Sequence, residues 1–289
     1  MTVPPPDGSR DRRIEDPTNL WVIHPAGRAL LPVALRFRVS ANAVSLAGLV
    51  LGAGAAASYA SWESRWAVLL GVLLSAGWLI ADGLDGIIAR ATRTASPLGR
   101  MLDGLCDHGV FLLIYVVLAA SVGTWDAWLL ASLAGVAHAV QSSLYEGERA
   151  RFHRRVKGIA APPAVPASNP FVRLYDRVAG LPERLSRPFE KALATDPTAL
   201  GTAYGQRAAP VLKAMALLTA NVRVWAIAIA CLMGDPRAFW WFEIVPLTLV
   251  AVLTIVRHRQ VERALARPFY STDRDPLAAA LSTREHRHS

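Results

Sequence analysis

The fold class predicted by the sequence is an all-α integral membrane protein with six transmembrane helices, an N-terminal interfacial helix and both termini cytoplasmic. Three observations predict it. Of 289 residues, 53% are hydrophobic and only 18% charged, where a soluble domain carries nearer a quarter charged. The apolar residues gather in six windows long enough to cross a bilayer core of about 30 Å, which takes roughly 20 residues at about 1.5 Å each. The Lys and Arg residues, 31 against 22 Asp and Glu, crowd on alternate connections between those windows. The composition excludes a disordered or fibrous chain, and the N-terminus reaches Asp16 without an apolar run, so no secretory signal peptide is expected.

The first 40 residues read as a cytoplasmic segment. Within it, the stretch from Leu20 to Arg38 mixes aromatics, aliphatics and spaced arginines, as an interfacial helix does, with Pro25 and Pro32 expected to interrupt it. The six spans are expected over residues 42–60, 65–82, 104–123, 126–145, 211–233 and 238–256, within a catalytic domain over 41–257. All Lys and Arg except Arg65, Arg237 and Arg223 lie before the first span, in 83–103, in the cytoplasmic loop 146–210 with Lys213 at its border, or in Arg257 and the tail 258–289 that follows it. The positive-inside rule makes those segments cytoplasmic. Trp62, Trp66, Trp125, Trp128, Trp240 and Trp241 fall at the opposite ends, as an outer aromatic belt requires. Within the loop, residues 158–170 read as a Pro/Ala-rich linker, followed by short surface helices around 171–192.

The basic excess hugs the inner leaflet and points to anionic lipid as partner, not nucleic acid. Cys106 and Cys231 belong to no metal-ligand spacing and sit at opposite ends of the expected bundle, so both read as structural thiols.

The chemistry lies between the second and third spans. Asp82 and Asp85 are three residues apart, and Asp103 and Asp107 four apart, so each pair projects from one helix face. A short hairpin between the two helices brings four carboxylates to the cytoplasmic border, where so much negative charge calls for divalent cations. Carboxylate oxygens without His or Cys select hard ions such as Mg²⁺ or Mn²⁺, which pair carboxylates with substrate phosphates. Gly83, Gly86, Gly99 and Gly104 leave room for close approach, and Arg90, Arg93 and Arg100 supply phosphate-binding charge. The plainer reading, aspartates that cap helix ends and pair with arginines, suits two aspartates better than four.

Asp82-x-x-Asp85-Gly86-x-x-Ala89-Arg90, eight residues, then Gly99-x-x-x-Asp103-x-x-x-Asp107 resembles the complete signature of the CDP-alcohol phosphotransferases. Ahead of the first span this chain reads Ser40-Ala-Asn42-Ala-Val-Ser45, where family members often carry Pro-Asn and a Thr. The resemblance implies transfer of a phosphoalcohol group, phosphatidyl in kind as from CDP-diacylglycerol, to a small hydroxylated acceptor with release of CMP. It implies two metal ions, Mg²⁺ or Mn²⁺, held by Asp82, Asp85, Asp103 and Asp107, with Asp107 also the general base. It further implies a nucleotide pocket of Gly86, Ala89, Arg90 and Gly99, a homodimer, and a multi-pass protein of the bacterial inner membrane whose active site faces the cytoplasm. Two other classes compete. A membrane prenyltransferase also holds a diphosphate on aspartate-rich helices, but on distant segments, and a cation transporter carries acidic residues near the midplane of several spans.

Other features have local readings. Arg223, inside the fifth span, binds the acceptor, pairs with a carboxylate or snorkels to the interface. His138 is a hydrogen-bonded packing residue, and Gly48-x-x-x-Gly52 permits close helix approach. The charged run from Glu146 to Lys157 is expected to be mostly a solvated inner flank, with contact to the polar acceptor as the alternative.

Overall fold

A computed structural model describes residues 11–94, 97–161 and 181–271, apart from the side chains of 97–103, 105, 181–184 and 270–271. The expected linker at 158–170 therefore falls largely outside the described residues. The described chain is all helical. Its helices are α1 (His24–Arg36), α2 (Ala41–Tyr59), α3 (Arg65–Ala91), α4 (Pro97–Val122), α5 (Trp125–Val156), α6 (Leu181–Thr195), α7 (Pro197–Met215), α8 (Ala220–Leu232), α9 (Arg237–Phe242) and α10 (Thr248–Ser271). Among the described residues, four helices are long and apolar enough to cross a membrane, or five if a bent pair counts as one span. The protein is a multi-pass membrane protein.

Helix boundaries follow local chemistry. Ser40 and Ser64 are N-caps whose side chains accept from the amides of Ala43 and Ala67, satisfying first-turn donors that lack a partner. α3 runs nine residues beyond Asp82, so Asp82 and Asp85 lie within the helix instead of ending it. At about 1.5 Å per residue its length exceeds a bilayer core of about 30 Å. It stops at Arg93, which adopts φ 56°, while the amide of Thr94 returns to the carbonyl of Ala89, a left-handed C-terminal closure.

Three sequence expectations are corrected. Pro25 and Pro32 do not interrupt α1: Pro25 occupies its first turn, where an amide donor is not needed, and Pro32 is carried inside a continuous helix. A π-turn over Asn19–Ile23 leads directly into α1. The expected fifth span is broken by the 3₁₀ turn Ala216–Leu218 and by Thr219, whose extended backbone starts α8. Trp240 is fully buried and belongs to the core, whereas Trp66, Trp125, Trp128 and Trp241 are exposed as a belt requires.

The chain packs as two units, one of residues 1–145 with 216–251 and one of 146–215 with 252–289. The first is built around Ala55, Tyr59, Trp78, Val110, Ile114 and Ile227. Its outward side chains, such as Leu73, Leu112 and Val136, are exposed and aliphatic, the surface a helix offers to lipid. Along the π-turn, α1 and its C-cap, Ile23, Gly27, Leu31 and Ala34 are buried at helical spacing, while Trp21, Leu30, Val33 and Phe37 are exposed. Ile23 abuts Gly83, and Gly27 lies against Leu84 and Ile87, so α1 packs on the stretch of α3 that carries the aspartates.

The second unit contains a buried ion lattice where a solvated flank was expected. Glu148 and Arg155 are both fully buried. Arg155 donates to Glu190 at 2.8 Å and to Glu262, and Arg259 bridges Glu148 and Glu262. The sequence reading fails because charge density resembles a surface whether or not its counter-charges arrive from distant helices. Here Glu190 and Glu262 are those counter-charges.

Candidate active site

α2 sets the spacing of the site. Its face of Ser45, Gly48, Gly52, Ala55 and Ala56 is buried. A side chain at Gly52 would meet Val110 of α4, and one at Gly48 would meet Ala81 and Trp78 of α3. The two glycines therefore let α2 approach both aspartate-bearing helices, as the sequence predicts. Above them on the same face, the Ser45 hydroxyl donates to Oδ2 of Asp85 at 2.5 Å. Asp85 is 5% exposed.

Trp78 lies one turn before Asp82 on α3, and its indole nitrogen donates to Oδ1 of Asp107 at 3.2 Å. That bond places Asp107 of α4 beside α3. Gly86 and Ala89 are half-buried on α3, and the exposed Arg90 folds its guanidinium along Gly86, Nη1 lying 3.3 Å from where a Cβ would be. Gly99 and Asp103 belong to α4, and the Asp103 side chain lies outside the described residues. Among the described residues the donors available here are carboxylates and one hydroxyl, and Cys106 is a buried thiol. Such hard oxygens, partly withdrawn from water, fit a hard divalent ion such as Mg²⁺ or Mn²⁺. Ser45 and Trp78 were missed as site residues in the sequence. The available signal was Trp78 standing four residues, one helical turn, before Asp82.

Among the described residues, the His/carboxylate trio whose ligand atoms lie within 4.8 Å of one another is elsewhere: Glu148, His258 and Glu262, all buried. Nδ1 of His258 is 2.8 Å from Glu148, and Nε2 is 2.8 Å from the Tyr204 hydroxyl. Arg259 contacts both glutamates, Arg151 donates to Glu148 at 2.7 Å, and Arg155 contacts Glu262. Three guanidinium groups already neutralise these carboxylates, so a divalent ion would add positive charge to a site with no excess negative charge. We read the trio as part of the ion lattice.

Arg223 takes the carboxylate-pairing alternative. Its Nε donates to Glu243 at 2.9 Å, and its remaining nitrogens donate to Gln141 and to the carbonyl of Leu218. His138 packs beside this group, its Nδ1 3.4 Å from the Tyr115 hydroxyl and its ring 4.3 Å from Phe111.

Comparison with known proteins agrees with the signature. Residues 38–159 match the family model of the CDP-alcohol phosphatidyltransferases. The chain is 35% identical over 97 residues to cholinephosphotransferase 1 of Gallus gallus, covering 30% of this chain and 29% of that protein. This chain thus spans under a third of the length of the curated relative it matches. Residues 38–159 carry a CDP-alcohol phosphatidyltransferase domain.

Proposed function

From that domain we propose that the protein transfers a phosphoalcohol group from a CDP-alcohol to an acceptor hydroxyl, releasing CMP, in phospholipid biosynthesis. The observation that carries this reading is the match over 38–159, which contains the whole aspartate signature. CDP-diacylglycerol with a small hydroxylated acceptor is our leading substrate pair. The relative's name speaks of phosphocholine transfer, so CDP-choline belongs in the same test as a donor. Purified protein in detergent with Mn²⁺, given each donor and a panel of acceptors including diacylglycerol, is expected to release CMP with one pair. No release with any pair overturns the reading.

Asp82, Asp85 and Asp103 are assigned as ligands of two Mg²⁺ or Mn²⁺ ions, with Asp107 able to join them. Divalent ions supply charge neutralisation at the diphosphate and polarise the phosphorus toward attack. Asp107 takes the proton of the acceptor hydroxyl, the role for which a carboxylate beside the reacting atoms is suited. Gly86, Ala89 and Gly99 leave space for the nucleotide, and Arg90 offers its charge to a phosphate. Buried Asp85 is kept in one orientation by Ser45.

We further infer six spans with both termini cytoplasmic, the third drawn from α4, whose apolar stretch covers Cys106–Val122, and the fifth from the broken helix before Leu232. The distribution of Lys and Arg supports this topology, as does the pairing of Arg237 with Asp126 and Thr124, which ties two short connections at the other ends of the helices. The same topology puts the aspartates on the cytoplasmic side, and the bacterial inner membrane is the setting we assign. The homodimer rests on the family resemblance.

A further inference from the structure

Trp78 is 1% exposed, and an indole N–H has donor capacity only, so burial favours pairing it with an acceptor. Within the same packing unit, the buried indole nitrogen of Trp240 makes no hydrogen bond among the described residues. Core packing alone therefore does not supply an acceptor for a buried indole here. At Trp78 the acceptor is a carboxylate oxygen of Asp107, 3.2 Å away on another helix.

The ring that makes this bond is itself fixed. It meets Phe111 edge-on, with centroids 5.2 Å apart and planes at 76°. On its other flank, a Cβ at Gly48 would lie 3.5 Å from the indole Cδ1, so the ring is held close to the backbone of α2. A locked ring aims its N–H in one direction. Trp78 is also one turn from Asp82 on α3, so the indole links the helix of the first aspartate pair to the carboxylate of the last. Phe111 is one turn beyond Asp107 on α4, which makes the contact two-point: a hydrogen bond at one residue and a ring face at the next turn.

We propose that Trp78 is a positioning residue, whose indole N–H fixes the orientation of the Asp107 carboxylate for its work on the acceptor hydroxyl. The inference rests on the reaction assigned above and deepens it. Trp78 lies outside the signature of residues 82–107 and needs no contact with substrate. A group that orients a base changes turnover and leaves donor binding unaffected, because the donor is bound before the proton moves.

The test replaces Trp78 by 3-benzothienylalanine, which keeps the bicyclic shape and exchanges N–H for sulfur, in the full-length protein. Trp78→Phe, which keeps a ring against Phe111, serves beside it in case the analogue does not fold. Each is expected to retain the wild-type melting temperature within a few degrees and KM for the CDP-alcohol within about twofold. The expected fall in kcat is roughly tenfold or more, the worth of a hydrogen bond to a charged group. In protein labelled with ¹⁵N-tryptophan, the resonance absent from Trp78→Phe is expected to move in Asp107→Ala. Unchanged kcat in a folded analogue while Asp107→Asn is inactive overturns the inference and leaves the reaction standing, as does a rise in KM alone. An unmoved indole resonance overturns it too. If wild-type protein releases no CMP with any donor, the reaction assignment fails first and the positioning role falls with it, even where the resonance moves.

Discussion

Nε of Arg223 lies 2.9 Å from Oε1 of Glu243, and neither side chain reaches the surface. The pair joins α8 to the π-turn Glu243–Leu247, with Gln141 of α5 accepting from the same guanidinium. A buried ion pair can be dispensable as a whole, but removing one member strands the other. Arg223→Leu is therefore expected to destabilise the protein by about 3–5 kcal/mol, and adding Glu243→Gln should recover much of the loss. Thermal melts in detergent of the two single variants and the double variant measure this; equal damage in single and double variants contradicts it.

The aspartates are expected to separate by role. Asp85→Asn should reduce CMP release below roughly a tenth of wild type with insertion and folding intact, since it removes charge from a shared ligand set. Asp82→Asn should weaken metal and nucleotide binding together, whereas Asp107→Asn should bind CDP-alcohol nearly normally and lose transfer. Titration of a CDP-alcohol at fixed Mg²⁺, beside turnover with saturating acceptor, makes the comparison. Equal loss of nucleotide affinity in the last two variants would make Asp107 mainly a ligand.

Chelation gives a simpler expectation. Excess EDTA should stop CMP release, and Mg²⁺ or Mn²⁺ should restore it, because carboxylates alone repel a diphosphate. Full turnover in chelator is the contrary result.

Helix spacing can be tested at Gly52. A Cβ there would collide with Cγ2 of Val110, whereas at Gly48 the nearest atom would be 3.3 Å away. Gly52→Ala should cost about 1–3 kcal/mol of stability through overpacking, and Gly48→Ala less. Val110→Ala in the Gly52→Ala background should recover part of the loss, read as melting temperature and as CMP release.

Glu190 provides a pH dependence in the second unit. Burial pushes its carboxyl up, but the hydrogen bonds from Arg154, the charge of Arg155 and the amide of Ala161 outweigh this and hold it at about 2. Because this folded-state value lies below the ordinary one of about 4.3, the interaction stabilises the fold above that ordinary value. Its contribution fades as pH falls from there toward about 2. Proteolytic susceptibility of α6 should rise across that interval, and Glu190→Gln should flatten the rise.

Membrane character and the aspartate motif were legible in the sequence because each rests on local information: windows of apolar residues for one, spacings of three and four for the other. The starts of α2 and α3 fell within a residue of their expected places, since Ser40 and Ser64 mark them. The end of α3 did not, because hydropathy reports where the membrane stops and not where the helix does. Ser45 and Trp78 were not legible as partners of Asp85 and Asp107 because each bond joins different helices. Arg223 announced its burial by its place in an apolar run, yet its partner Glu243 could not be named before the helices were packed. The run from Glu146 to Lys157 looked like a surface for the same reason.

The ion lattice bears on where this protein can be cut and rejoined. The family match ends at residue 159, and that boundary invites a graft of 38–159 into another chain. Such a graft would carry Arg155 without Glu190 and Glu262, and would leave Glu148 with Arg151 but without Arg259, partners that lie outside the matched range. The transplanted segment would then expose orphan charges evolved for a dry interior, at a cost of several kcal/mol each if they stayed buried. A chimera that joins the chains near Tyr145 leaves the whole lattice with one parent, and that is where a functional crossover between relatives is expected to succeed.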